Sequence, residues 1–196
     1  PEFSFRASGL DLSLKPEAWS DHRLSIDLKS GHLKIANQSI PFEVRGNTVI
    51  SGSLTNPTNV QLQDLRIFLP RIAISPRGSV MLNQELATQV DFQAHGSLSE
   101  LNKRIENLPR FSGTLRASGN LTGSLTAPLA SAELQFEDLG INSMFLGNVS
   151  TKARFDGKNI DLTDLTLDHP EVGMLEAKAK IGLSATVPTE IQAELK

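Results

Sequence analysis

The sequence predicts an all-β protein, an elongated, curled, mostly antiparallel sheet forming a trough with an apolar interior, with one short amphipathic helix near residues 97–108. Three observations lead there. Apolar and polar residues alternate with period two along most of the 196 residues, which places apolar side chains on one face of a strand and polar ones on the other. Turn-forming clusters interrupt the alternation at intervals suited to a meander, so neighbouring strands are expected to run antiparallel. Finally, each run is half polar. That suits strands with one dry and one wetted face, since strands covered on both faces read as continuous apolar runs.

The first run sets Leu10, Leu12 and Leu14 between Asp11, Ser13 and Lys15. The second sets Leu24, Ile26 and Leu28 against Ser25, Asp27 and Lys29, with turns expected at Ser30-Gly31 and Gly46-Asn47. Val90, Phe92 and Ala94 follow, against Gln89, Asp91 and Gln93. From Gly113 to Leu125 every odd position is Gly, Leu or Ala and every even one Thr, Arg, Ser or Asn. Ala132, Leu134 and Phe136, then Thr151, Ala153 and Phe155, continue the pattern. Asp156-Gly157-Lys158-Asn159 and His169-Pro170 read as turns, and Leu175, Ala177, Ala179, Ile181 and Leu183 form a last long alternating run.

One segment departs from period two. From Ser97 to Leu108 the apolar residues Leu98, Leu101, Ile105 and Leu108 fall at helical spacing, with Ser97 and Glu100 placed as a capping box and Pro109 just beyond. Such a helix either lies over the end of a sheet or docks a partner. On each side of it the halves 1–96 and 110–196 repeat weakly. Gly52-Ser53-Leu54-Thr55 with Pro57 returns as Gly123-Ser124-Leu125-Thr126 with Pro128, and Asp64-Leu65 with Ile67 returns as Asp138-Leu139 with Ile141. Drifting repeats suit a stacked, elongated sheet better than a compact sandwich. Residues 1–196 are therefore read as one segment of a longer domain, which fits a start at Pro1 without Met and an end at Lys196 inside the alternating run Ile191, Ala193, Leu195.

Composition narrows the function classes. The 22 acidic and 19 basic residues give a formal net charge of -3 and are spread along the chain, so nucleic acid is not the expected partner. Without cysteine there is no disulfide framework, thiolate metal site or cysteine nucleophile. No apolar stretch approaches the roughly 20 residues of a transmembrane helix. Nine Phe, one Trp (Trp19) and no Tyr are too few aromatics for a sugar-binding face or for the girdles of a membrane barrel.

Catalytic sets are missing as well. His22, His32, His95 and His169 have no partner at ligand spacing, and Asp168-His169-Pro170 fits a strand-ending turn. The pairs Asp161 with Asp164 and Glu137 with Asp138 lack the further oxygen ligands of a calcium loop. Gly119 and Gly123 lie in alternating sequence rather than at a strand-to-helix junction, so they mark bends or close approaches, not a phosphate cradle. The expectation is a non-enzyme with no cofactor and no metal. What remains is a large aliphatic surface on one side of many strands, its clearest members being Leu115, Leu121, Leu134, Phe136, Phe155, Ile160, Leu162, Leu175 and Ile181.

The stretch from Phe111 to Pro128 (FSGTLRASGNLTGSLTAP), the strand from Ala132 to Glu137 and the run Ile160 to Leu167 (IDLTDLTL) together resemble the repeating pattern of the TamB family. These are the translocation and assembly module proteins of Gram-negative bacteria, related to the AsmA-like proteins. The resemblance covers the second half and touches the first through Gly52 to Pro57 and Asp64 to Leu69. It implies a long sheet curled into a trough, a β-taco, with an apolar interior, crossing the periplasm as part of a protein anchored in the inner membrane. It further implies roles in phospholipid transport between the two membranes and in outer-membrane protein assembly. Phospholipid acyl chains or unfolded β-strands would be the cargo, a TamA-like outer-membrane assembly protein the partner, and the nine aliphatic and aromatic residues above the groove lining. The residues alone leave a second possibility open, a closed β-sandwich or solenoid spacer that interacts by strand-edge pairing.

Overall fold

The period-two segments form strands, and hydrogen-bond ladders join them edge to edge. The computed structural model describes residues 3–16, 21–35, 38–53, 55–82, 87–99, 110–124, 127–182 and 190–195. Its strands are β1 (Phe3–Pro16), β2 (Asp21–Ile35), β3 (Gln38–Ser53), β4 (Asn56–Leu62), β5 (Arg66–Leu69), β6 (Ile72–Met81) and β7 (Ala87–Ser97), followed by β8 (Phe111–Ser124), β9 (Ala127–Ile141), β10 (Met144–Phe155), β11 (Asn159–His169), β12 (Gly173–Gly182) and β13 (Glu190–Leu195). All 13 belong to one sheet, and each pairs antiparallel with its neighbours. The order follows the chain except that β4 and β5 share one lane between β3 and β6.

That shared lane explains the internal repeat. At the start of the lane Gly52 (φ 98°) faces Pro57 and the Ser53 hydroxyl accepts the Asn56 N–H at 3.0 Å. The second hairpin copies it: Gly123 (φ 89°) faces Pro128 and the Ser124 hydroxyl accepts the Ala127 N–H at 3.1 Å. The second repeated pair marks the bend further along. A Cβ on Gly46 would strike the Asp64 carbonyl oxygen, and one on Gly113 would lie 2.7 Å from the Asp138 carbonyl oxygen. In the first copy the bend splits the lane into β4 and β5. In the second, β9 runs through it with Asp138 in the left-handed region (φ 53°).

Two expected turns are kinks inside strands. Gly31 lies within β2, where the register shifts between Leu28 and Gly31, and the Phe42 ring covers it so closely that a Cβ would stand 2.6 Å from the ring. Gly46 lies within β3, where the missing side chain admits the neighbouring lane. Glycine serves here for close approach rather than chain reversal. The helix expected at 97–108 lies outside the described residues from position 100 onward. Its expected cap, Ser97, ends β7 opposite Thr114.

The sheet is open and thin. Its accessible surface is 13027 Å², against about 9,100 Å² for a compact monomer of this mass. Among the described residues no side chain is fully buried, and the most buried apolar ones are Leu28, Val49, Ile72, Val90, Leu98 and Leu139. The substantial backbone contacts between strands are those between ladder neighbours.

Two outcomes follow for stability. A Cβ at Gly119 would collide with the Ser131 carbonyl and stand 2.8 Å from the Phe92 ring. Gly119→Val should therefore lower stability by about 2 kcal/mol, roughly 4 to 8 °C in thermal unfolding, while Ser118→Val on the exposed face should not. The second concerns the turn after β10. The Asp156 carboxylate accepts the N–H groups of Lys158 (2.9 Å) and Asn159 (2.7 Å) and the Asn159 side-chain amide (3.0 Å). These bonds, that from the Asn159 side chain first, lower its pKa from 3.8 to about 2. The folded value is depressed, so this stabilisation is present above pH 3.8 and lost as pH falls through about 2. In acid-unfolding curves Asp156→Ala should be less stable than wild type at neutral pH, and the gap should close below that range.

Candidate functional site

Residues directly opposite one another in an antiparallel ladder point to the same face. Following the register across the sheet therefore collects a continuous surface. Starting at Leu14 on β1, the line passes through Leu24, Thr48, Leu62, Gly78 and Val90 to Leu121 on β8. From there it continues through Ala130, Phe155 and Ile160 to Ile181 on β12. A parallel line joins Ile72, Gly96, Leu115, Phe136, Val149, Leu167 and Leu175. Between them lie Leu134, opposite Ala117 and Thr151, and Leu162, opposite Ala153 and Ala179.

All nine residues singled out from the sequence thus share one face: Leu115, Leu121, Leu134, Phe136, Phe155, Ile160, Leu162, Leu175 and Ile181. Each is half-buried. On β1, the outermost strand among the described residues, Leu10, Leu12 and Leu14 on the same face are 49%, 58% and 43% exposed. Threonines interrupt the aliphatic surface, but two have their hydroxyls turned into the backbone: Thr88 donates to the Gly123 carbonyl (2.9 Å) and Thr151 to the Thr163 carbonyl (3.0 Å). A hydroxyl bonded in this way presents mainly its methyl group outward.

The sequence missed part of this surface in the first half. Ile67 and Ile74 oppose each other, as do Leu69 and Ile72, yet the run from Ile67 to Ile74 contains Phe68, Pro70 and Arg71 and shows no clean alternation. A short strand, a tight turn and a second strand are compressed into it. Pro70-Arg71 between two apolar runs was the available signal.

The opposite face is polar and charged. Arg116 pairs with Glu137 (3.3 Å), Lys152 with Asp164 (2.9 Å) and Lys180 with Asp161 (3.9 Å), all on largely exposed side chains. The hydrogen bond and charge of Asp164 raise the Lys152 pKa above its ordinary value. Exposed pairs of this kind contribute little stability. Their consequence is hydration, which leaves the sheet with one wet and one apolar side.

The histidines are dispersed. His22 opposes Ile50 on the apolar face, whereas His32 opposes Pro41 and His95 opposes Ala73 on the polar face. His169 ends β11, where its Nδ1 accepts the N–H groups of Glu171 (3.1 Å) and Val172 (3.2 Å) and its ring meets Phe145 edge-on at 5.7 Å. That nitrogen shapes the turn. Among the described residues no three His, Asp or Glu side chains gather as a metal site, and no helix is long and apolar enough to cross a membrane.

Comparison with protein-family models, with curated proteins and with solved structures finds no match for this chain.

A half-buried apolar face and a closed core respond differently to an introduced charge. On this face water reaches Phe136 and Leu162, so Phe136→Asp or Leu162→Asp should cost about 1 to 2 kcal/mol, chiefly the lost apolar burial. In a dry core the unpaired carboxylate would cost several kcal/mol. Thermal unfolding with a drop of only about 2 to 8 °C is the expected result.

Proposed function

We propose that this chain is a segment of a hydrophobic groove of the TamB type, crossing the periplasm as part of an inner-membrane-anchored protein and sheltering phospholipid acyl chains in transit between the two membranes. The observation that carries the proposal is the mainly apolar face, in register from β1 to β12 and half-buried without a fully buried side chain among the described residues. The resemblance of residues 111–128 and 160–167 to the family's repeat supports the same conclusion.

The physical mechanism is transfer without specificity. Each buried CH₂ contributes roughly 0.8 kcal/mol, so a long acyl chain gains about 10 kcal/mol on leaving water. Aliphatic walls offer no fixed hydrogen bonds, so the chain slides without breaking any. The charged head group stays in water at the open side of the groove. The work is non-enzymatic and uses neither cofactor nor metal. Outer-membrane protein assembly, with a TamA-like partner, would draw on the same surface to shield unfolded β-strands.

One observation favours a second reading, a structural module acting by edge pairing. Among the described residues the outermost strands of the sheet are β1 and β13, and β1 is 14 residues long with exposed leucines. Such an edge accepts an added strand.

A photoactivatable phospholipid separates the two. Crosslinks should map to peptides containing Phe136, Phe155 and Leu162, and Phe136→Asp should reduce them at least about fivefold in folded protein, as a charge raises the cost of burying an acyl chain. Glu133→Ala and Lys178→Ala, on the wet face, should leave them unchanged. Wild-type protein that never crosslinks, or crosslinks only along β1, would defeat the groove and favour edge pairing.

A further inference from the structure

The apolar face is larger than a chain of this size ordinarily leaves in water. Twelve strands follow one another across the sheet, most of them ten or more residues long, and at about 4.8 Å per lane and 3.3 Å per residue they present a face of roughly 2,000 Å². The largest apolar patch on a typical monomer is about 300 to 600 Å². The accessible surface agrees: 13027 Å² exceeds that of a compact monomer of this mass by about 3,900 Å². Covering one such face would remove about half of that excess.

A sheet with one dry side is completed by a second layer. No other part of this sheet supplies it among the described residues, since the substantial backbone contacts are those between ladder neighbours. A second copy of the chain supplies a face of the same size and chemistry. The apolar rows from Leu14 to Ile181 and from Ile72 to Leu175 contain no charged residue, whereas Arg116 with Glu137, Lys152 with Asp164 and Lys180 with Asp161 all stand on the other side. Laying one copy on another therefore brings no like charges together at the contact, although each chain carries a formal net charge of -3. Two sheets with dry inner and wet outer faces pack about 10 Å apart as the layers of a β-sandwich.

We propose that two copies of this chain pair through their apolar faces, making Leu121, Leu134, Phe136, Phe155 and Leu162 part of a core between two layers. With roughly 2,000 Å² covered on each copy, the contact would bury about 4,000 Å² in all, within the range of obligate homodimers. The patch is its own partner, so the association closes at two. This goes beyond the groove reading: the side chains that would line a groove form an interface when no cargo covers them, and cargo and second copy compete for one surface.

Sedimentation equilibrium of the full 196-residue chain tests it. Between about 0.1 and 100 µM, a span centred on micromolar Kd values, the mass should rise from the 21.3 kDa of one chain to twice that and stop. Phe136→Asp and Leu162→Asp each place two unpaired carboxylates in the contact by symmetry, so they should weaken pairing at least about a hundredfold in folded protein. Glu133→Ala and Lys178→Ala, on the wet face, should leave it unchanged. Because the chain has no cysteine, a single introduced thiol reports the covering of its own position. Ala153→Cys should react with iodoacetamide at least about tenfold more slowly at about 100 µM protein than at about 0.1 µM, while Arg154→Cys, on the opposite face, should react equally fast at both. Dihexanoyl phosphatidylcholine below its micelle concentration that returns the dimer to single chains supports pairing through the surface that takes acyl chains; a dimer indifferent to it supports the pairing and counts against the groove reading alone. The proposal would be overturned by a single-chain mass throughout, or by a mass that climbs past two chains, as strand addition at an edge would give. A dimer unchanged in folded Phe136→Asp and Leu162→Asp, or Ala153→Cys labelled as fast in the dimer as in the single chain, would overturn it too.

Discussion

In an antiparallel ladder the residues that face each other share a side of the sheet, and everything else in this protein depends on that constraint being kept through strand after strand. The line from Leu14 to Ile181 stays on one face because no pairing along it slips by a single residue. One slip at any lane would turn the following strands over and bring Asp161, Lys178 or Arg154 onto the apolar side. The wet and dry faces are therefore a collective property. No single strand owns either.

Register is kept by local irregularities, not by perfect regularity. Between Leu162 and Leu165 the spacing is three residues, which would change the face, but the ladders on both sides of β11 shift there, with Asp164 in the left-handed region at φ 50°. Leu165 and Leu167 consequently rejoin the apolar face opposite Ala177 and Leu175. The shift between Leu28 and Gly31 does the same for β2, where Gly31 sits under Phe42. A bulge adds one residue and a bend, and the glycine admits the approach that the bend creates. An aromatic ring over a strand glycine recurs at Phe92 and Gly119.

The arrangement stabilises a sheet without a dry centre. Half-burial on one face and exposure on the other give each strand a modest return in apolar contact, spread over the whole length rather than concentrated in a core. Backbone hydrogen bonding to both neighbours and side-chain contact along the rows therefore carry the fold together. The same geometry leaves apolar surface facing water, which a soluble domain of ordinary design avoids. It is this tension between stability and exposure that gives the groove reading its physical content.

Several features were legible in the sequence because they are local. Period two is a property of the extended backbone, so the grouping of Leu115 with Leu121, or of Ile160 with Leu162, on one side of its own strand followed from position alone. So did the repeated Gly-Ser hairpins, in which a positive-φ glycine and a serine hydroxyl bond form from adjacent residues. The sequence did not reveal that Gly31 and Gly46 kink strands instead of ending them, that β4 and β5 share a lane, or that Ile67, Leu69, Ile72 and Ile74 belong to the apolar face. Those outcomes depend on which strand lies beside which and in what register. Contacts between residues far apart in the chain decide that, and only the folded sheet brings them together.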